Sequence, residues 1–434
     1  MRRAAGTTLF TILLAACGGP ARLPLAAGTG PSPQLPPPEQ ALVPAIKVAK
    51  AEGWPPNTTP AAAPGLKVNA FATGLDHPRW LYTLPNGDVL VAETNGPGTD
   101  PGPPGIKGIF FRQFKKKAGS SVPSANRITL LRDTDGDGIA DYRSTLLSGL
   151  YSPFGMTLLG GELIVADTDA LLAFPFRPGM TTIAARPRLV RALPSGRNHH
   201  WTKSLVVSPD GRWFYVGVGS NSNVGENGMA IEQGRAAVWQ IDPRTGSARI
   251  VAGGLRNPVG IAFNPWSGAL WAAVNERDEI GSDLVPDYIT SVRDGAFYGW
   301  PYSYYGQHID VRVKPPRPDL VASAIPPDYA LGPHVAALGL TFSTGQRLGP
   351  RFAQGAFVGE HGSWNRKPPS GYKVVFVPFA GAQPSGMPID VLSGFLGDGK
   401  AFGRPVGVQI ARDGSLLVAD DVGNTVWRVS AAGR

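Results

Sequence analysis

Six times along the chain an apolar stretch of strand length runs into a turn and resumes as a second strand rich in Val, Leu and aromatic residues. The turns are Pro85-Asn86-Gly87, Gly160-Gly161, Pro209-Asp210-Gly211, Pro265-Trp266-Ser267-Gly268, Arg351-Phe352-Ala353-Gln354-Gly355 and Asp413-Gly414. The second strands read DVLVAE, ELIVAD, WFYVGV, ALWAAV, AFVGEH and SLLVAD, and the first strands open with HPRWLY, SPFGMT, HHWTKS, NPVGIA, AALGLT and RPVGVQ. Apolar runs separated by such turns are hairpin signals. One sheet-forming unit repeated six times, with small residues in its inner strands, predicts an all-β fold, a six-bladed β-propeller over residues 65–434. The unequal spacing of the units puts loops of very different length between them.

In an antiparallel hairpin the start of the first strand and the end of the second lie at one end. Residues at those positions therefore ring one mouth of the channel. The strand starts supply His77, Arg79, Tyr151, Ser152, His199, His200, Arg256, Asn257, His334 and Arg404. The strand ends supply Glu93, Asn95, Asp167, Asp169, Asn221, Asn223, Asn275 to Arg277, His361 to Arg366, Asp420 and Asp421. The opposite turns carry mostly small or turn-forming residues. A ring of Arg and His suits a polyanionic ligand, because guanidinium groups bind carboxylates bidentately and stay charged. A histidine among them can serve as a base near neutral pH.

The first residues change the picture of where the chain works. Met1-Arg2-Arg3 followed by the apolar stretch Leu9 to Ala16 reads as an export signal over residues 1–16, too short for a permanent membrane span. Leu14-Ala15-Ala16-Cys17 resembles a bacterial lipobox, which makes Cys17 the expected lipidated N-terminus of an exported lipoprotein on the periplasmic side, with Gly18-Gly19 favouring the outer membrane. Cys17 is the single cysteine, so disulfides, CxxC redox chemistry, zinc–thiolate sites and a fused CxxCH haem domain are excluded. Residues 17–64 include PSPQLPPPE and read as a Pro-rich linker, an extended tether ahead of the folded body. The net charge is +9, with scattered cations and no basic–aromatic pattern that suggests nucleic acid. Lys115-Lys116-Lys117 is the only dense basic run; it reads as part of a solvated Gly- and Pro-bearing loop, with docking of an acidic partner as the alternative.

A second oxygen-rich signal is local. Asp133-Thr134-Asp135-Gly136-Asp137-Gly138-Ile139-Ala140-Asp141 places acids at loop positions 1, 3, 5 and 9 with Gly at position 6. Ser144 stands where an EF-hand has its bidentate Glu, so this is a candidate structural calcium turn, with Asp133, Asp135, Asp137 and Asp141 as ligands.

Long ordered stretches carry a resemblance: DHPRWLYTLPNGDVLVAE, VPSANRITLLRDTDGDGIAD, HHWTKSLVVSPDG, LRNPVGIAFNP, VNERDEIGSDLVPDY, FYGWPYSYYGQ and GEHGSWNRKPPSGYKVVFVPF. With these the chain resembles the sorbosone dehydrogenase group of soluble sugar dehydrogenases, which use pyrroloquinoline quinone (PQQ) and Ca2+. The resemblance implies His200 as general base, His199 being its rival, and Arg256 as cofactor contact and transition-state cation. It implies PQQ contacts at Asn257 and Arg404, and at either Arg366 or Lys373; His77 and Arg79, from the ring of strand starts, are further candidate cofactor contacts. It implies mouth calcium on the backbone carbonyls of Glu276 and Arg277. The expected activity is oxidation of an aldose or related aldehyde or hydroxy sugar, with a separate electron acceptor such as a cytochrome or quinone. Two other readings stay open: a calcium-dependent lactonase or esterase, with side-chain Asp, Asn and Glu ligands from several blades around the metal, and a non-catalytic ligand-binding propeller.

Overall fold

The second strands are uninterrupted apolar runs rather than alternating ones, which fits strands covered on both faces. In the computed structural model, which describes residues 18–433 except 100, 101, 103, 104, 344 and 346, four of them are buried at every position: Val89–Glu93, Leu270–Val274, Gly355–Glu360 and Leu416–Asp420. The chain is nearly all β and propeller-like in its arrangement of sheets.

Each hairpin found in the sequence is the inner half of an antiparallel sheet. The first sheet runs Pro78–Thr83, Val89–Glu93, Arg127–Arg132, Tyr142–Leu147, and the second Met156–Leu159, Glu162–Ala166, Ala170–Pro175, Arg188–Ala192. The third runs Lys203–Val207, Phe214–Val218, Ala237–Ile241, Ala248–Gly253. The fourth begins Pro258–Phe263, Leu270–Val274, Pro286–Ser291, Tyr329–Pro333, and the fifth Ala337–Phe342, Gly355–Glu360, Lys373–Ala380, Ile389–Ser393. The sixth pairs Pro405–Ile410, Leu416–Asp420 and Thr425–Ala431 with Leu66–Ala72, so a strand from the start of the body completes the last sheet. First strands of successive sheets pack on one another in chain order, and that of the sixth packs on that of the first. Trp80, Met156, Leu205, Ile261, Leu340 and Val408, one from each first strand, line a common axial cavity.

Two expectations are corrected. The segment 17–64 is not a free tether over its described part: Thr29–Gly30 adds an edge strand beside Tyr329–Pro333, and Ala61–Ala62 adds one beside Ile389–Ser393. Lys50–Ala51 pairs in parallel with Lys400–Ala401, and Trp54 Nε1 donates to Asp420 Oδ2 at 2.7 Å. Proline fixes local backbone angles but leaves short stretches between prolines free to pair at a sheet edge. The Lys115–Lys117 run does not lie in a loop; it forms the last turn of an α-helix, Gly105–Lys117, where cations oppose the negative end of the helix dipole. Cys17 lies outside the described residues. Among the described residues no helix is long and apolar enough to cross a membrane.

Candidate active site

Strand register gathers the site. Pro78 lies opposite Glu93, Lys203 opposite Val218, Pro258 opposite Val274, Ala337 opposite Glu360 and Pro405 opposite Asp420, so the flanking residues all emerge on one rim. Four of these first strands carry a register shift just inside the rim, at Pro78/Trp80, Pro258/Gly260, Ala337/Gly339 and Pro405/Val408. Such bulges leave a residue unpaired and re-aim side chains; Arg79 is one of them.

At the third sheet His200 is held from one side only. Its Nδ1 lies 2.9 Å from the Ser220 carbonyl and 3.0 Å from Ser220 Oγ, whose own proton goes to the Ser222 carbonyl at 2.7 Å. Both acceptors call for a proton on Nδ1, which leaves Nε2 with its lone pair. Burial, reinforced by the positive charge of Arg256 and by His199, lowers the His200 pKa well below the usual histidine value. The ring is neutral at pH 7. His199 packs edge-on against it, ring centres 4.7 Å apart. Gly219 makes the fit possible: a Cβ there would sit 2.4 Å from Asn257 Oδ1 and 2.5 Å from His200 Cβ. His200 and Asn257 thus share a corner that no larger residue permits.

Arg256 is almost fully buried beside this corner. It donates to the carbonyls of Glu276 at 2.7 Å and Asn223 at 3.2 Å, to Asn223 Oδ1 at 3.0 Å and to Asp278 Oδ2 at 3.1 Å. Asp278 also accepts from Asn365 Nδ2 at 2.7 Å and has His334 Nδ1 3.7 Å away. Burial works against its charge, but Arg256 and His334 hold its carboxyl below the ordinary range. Asp278 follows directly on the strand end read from the sequence; an acid interrupting a basic rim was the signal for it.

A second acid organises the opposite arc. Asp421 accepts from Arg79 at 2.5 Å and from His361 Nε2 at 2.9 Å, with His77 Nε2 at 3.6 Å. Burial opposes its ionisation, yet His361, His77 and Arg79 together keep it ionised far below the usual carboxylate range. Burial pushes His361 down to about 4 and lowers His77, so at pH 7 Arg79 supplies the formal countercharge. The Arg79 guanidinium also lies 5.8 Å over the Trp201 ring, which ties this arc to the His199–His200 turn. Arg404 donates to Tyr372 OH at 3.0 Å and lies over its ring at 5.1 Å. Arg366 reaches the Pro368 carbonyl at 2.8 Å and Asp283 at 3.6 Å. Lys373, opposite Glu360 at the rim end of its strand, pairs its ammonium with Asp390 of the fourth strand at 2.7 Å.

The rim retains unused donors. Arg79 Nε, Arg366 Nε, Arg404 Nε and His77 Nε2 are buried with no hydrogen-bond partner, as is the acceptor Asn257 Oδ1. Buried polar atoms are ordinarily paired, so these orphans make the rim a candidate ligand site. Three guanidiniums, with a neutral histidine among them, fit a ligand with several carboxylates. The expected calcium carbonyls fit less simply. Glu276 O is already taken by Arg256, and the Glu276 and Arg277 side chains are locked together at 3.0 Å, with Arg277 also 3.2 Å from Asp310. A cation at Glu276 O would share that carbonyl with the Arg256 guanidinium through its second lone pair.

The Asp-rich turn lies elsewhere, between Arg127–Arg132 and Tyr142–Leu147 at the end of the first sheet opposite the rim. Carboxylate oxygens of Asp133, Asp135 and Asp137 converge within 4.8 Å of one another. Asp141 does not join that group; its carboxylate accepts from the Thr134 amide and hydroxyl, which lower its pKa. Among the described residues this is the only such grouping of His, Cys, Asp and Glu.

Comparisons with known proteins bear on the family and the fold. A family model described as TrAA12-like matches residues 60–286 and 320–432. A PQQ-dependent pyranose dehydrogenase of Coprinopsis cinerea is 27% identical over 333 residues, 62% of this chain and 44% of that protein, so the chain spans less than half of that relative. An uncharacterized protein of Borreliella burgdorferi is 32% identical over 301 residues, 66% of this chain and 77% of that one. The calcium structure of a Trichoderma reesei carbohydrate-active enzyme of family AA12 superposes with a TM-score of 0.69 at 18% identity, covering 89% of this chain and 98% of the other.

Proposed function

Because the chain belongs to the TrAA12-like family, we propose that it is a six-bladed β-propeller dehydrogenase that oxidises an aldose or related hydroxy sugar or aldehyde with PQQ and Ca2+, and hands the electrons to a separate acceptor. The blade count is supported by six sheets of four or more strands whose first strands pack in a closed cycle. The cofactor is supported by the PQQ-dependent relative and by the unpaired cationic donors of the rim. One observation carries the chemistry: His200 is neutral, fixed through Nδ1 and open at Nε2.

Bound at the rim, PQQ would supply a two-electron hydride acceptor and Ca2+ a Lewis acid. The protein's share is positioning and proton transfer. Arg79, Arg366 and Arg404 bind carboxylates; Arg256 and Asn257 border the reacting corner. His200 Nε2 takes the proton of a substrate hydroxyl or aldehyde hydrate, and its Nδ1–H on Ser220 holds the ring in the correct tautomer as charge develops. Arg256, backed by Asp278, places positive charge beside the developing anion. We further propose an exported chain on the periplasmic side, anchored through a lipid on Cys17. Adding PQQ and Ca2+ to the purified apoprotein tests the reaction: a new quinone absorbance with sugar-dependent dye reduction is expected. Absorbance without dye reduction would indicate a binding protein, and hydrolysis of lactones without PQQ would replace the reading.

A further inference from the structure

The connector from Glu93 to Arg127 leaves and re-enters the first sheet at the rim, since those two residues pair. It carries the helix Gly105–Lys117, whose sequence has no acidic residue. Ile109 and Phe110 are 52% and 57% exposed, Phe110 stacks on half-buried Phe114, and Arg112, Lys116 and Lys117 are exposed beside them. A water-facing helix surface would not place Ile and Phe among cations. The exposure continues around the same rim. Val122 is exposed on the same connector and Met229 on the loop after Val218. Leu42 and Val43 stand out at 85% and 47% on the N-terminal segment.

That segment supplies an independent observation. Gly18 N donates to the Val43 carbonyl at 2.8 Å, Ser282 Oγ donates to the Gly19 carbonyl at 2.8 Å, and Glu39 N donates to the Ile280 carbonyl at 2.9 Å. Residues 280 and 282 belong to the rim loop between Leu270–Val274 and Pro286–Ser291. The chain immediately after position 17 is therefore fastened to the rim, next to exposed Leu42 and Val43.

We propose that the rim face docks flat on an anionic lipid surface, with Ile109 and Phe110 entering the interface and Arg112, Lys116 and Lys117 meeting acidic headgroups. A basic, apolar helix without acids complements such a surface, and an acidic protein would leave Ile109 and Phe110 unanswered. The mouth then opens toward the bilayer, within reach of a lipid-soluble electron acceptor, a consequence that rests on the dehydrogenase reading.

The test is flotation of the chain from residue 17 onward, carrying Cys17→Ser, with vesicles of phosphatidylethanolamine and phosphatidylglycerol, and with phosphatidylcholine alone. All the sheets lie within that chain. Binding is expected to the anionic vesicles, to weaken in high salt, and to fall at least tenfold in Ile109→Ser/Phe110→Ser and in Lys116→Glu/Lys117→Glu, with unchanged melting temperature. Equal binding of the variants, equal binding to phosphatidylcholine, or no binding overturns the proposal. Retention on immobilised polyglutamate without vesicle binding overturns it in favour of an acidic protein partner. Dye reduction after loading with PQQ and Ca2+ is expected to be the same in all these chains. A chain inactive with dye that still discriminates between the vesicles sinks the dehydrogenase reading and leaves the docking.

Discussion

His199 and His200 are neighbours in sequence with different duties. His200 has Nδ1 committed to Ser220 and Nε2 open, whereas His199 packs against its ring. On the proposed reading, His200→Ala is expected to retain PQQ, which arginines elsewhere on the rim would hold, and to lose turnover by about a hundredfold to ten-thousandfold, the usual cost of a general base. His199→Ala, reconstituted and assayed side by side, keeps most activity; loss confined to His199→Ala would move the base by one residue. Arg256→Ala has a different signature, weaker PQQ retention together with lower rate, because Asp278 loses its partner as the site loses its cation; equilibrium dialysis separates the two effects. The pH dependence follows from burial. His200 is depressed well below the ordinary histidine value, so the acid limb of kcat/KM should begin clearly below pH 6.5. For His361, folded near 4 and ordinarily 6.5, the unfolded chain binds more protons between those values. Stability from this group is therefore lost as pH falls from 6.5 toward 4 and changes no further below, which denaturant midpoints across that range would show.

Elements obey local rules where their signals are local. The six hairpins were legible because turn residues and apolar runs sit within a few positions of each other; the second strands begin within one residue of the expected starts. The Asp133 turn is another local element, and Asp133, Asp135 and Asp137 converge as its spacing implies. Calcium is expected to raise the melting temperature of the wild type by more than that of Asp135→Ala/Asp137→Ala, since a ligand bound only by the folded state stabilises it by mass action. Because the turn lies opposite the rim, dye reduction by the folded fraction should be spared. Equal wild-type melting in calcium and in chelator would remove the site. Two elements differ from their local signals, each for its own reason. The Pro-rich segment and the helix ending in three lysines owe their placement to distant partners or to helix propensity beyond the flanking prolines and glycines.

The closed cycle of sheets depends on backbone approach at small residues. A Cβ on Gly339 would lie 2.2 Å from the Val406 carbonyl and 2.8 Å from Val408 N, so the fifth and sixth first strands meet there main chain to main chain. Gly339→Val is expected to lower the yield of folded protein and the melting temperature, because the neighbouring strand cannot withdraw without opening the ring; such overpacking commonly costs about 1–3 kcal/mol or more. An unchanged unfolding midpoint would mean the ring is looser than its register implies. The sixth sheet closes with Leu66–Ala72, so the two ends of the body are joined in one sheet.

The amino-acid sequence by itself determined the hairpins, their number, and the end of each at which histidine and arginine collect. These depend on periodicity and on residues adjacent in the chain. Tertiary structure alone decided which acid meets which cation: Asp421 joins Arg79 and His361, and Asp278 joins Arg256 and Asn365, across separations no local pattern encodes. It also decided that Lys373 turns to Asp390, that Arg256 takes the Glu276 carbonyl, and that the Pro-rich segment lies on the rim. Charge pairing and edge-strand addition select partners by distance in space, and that distance exists only once the ring has closed.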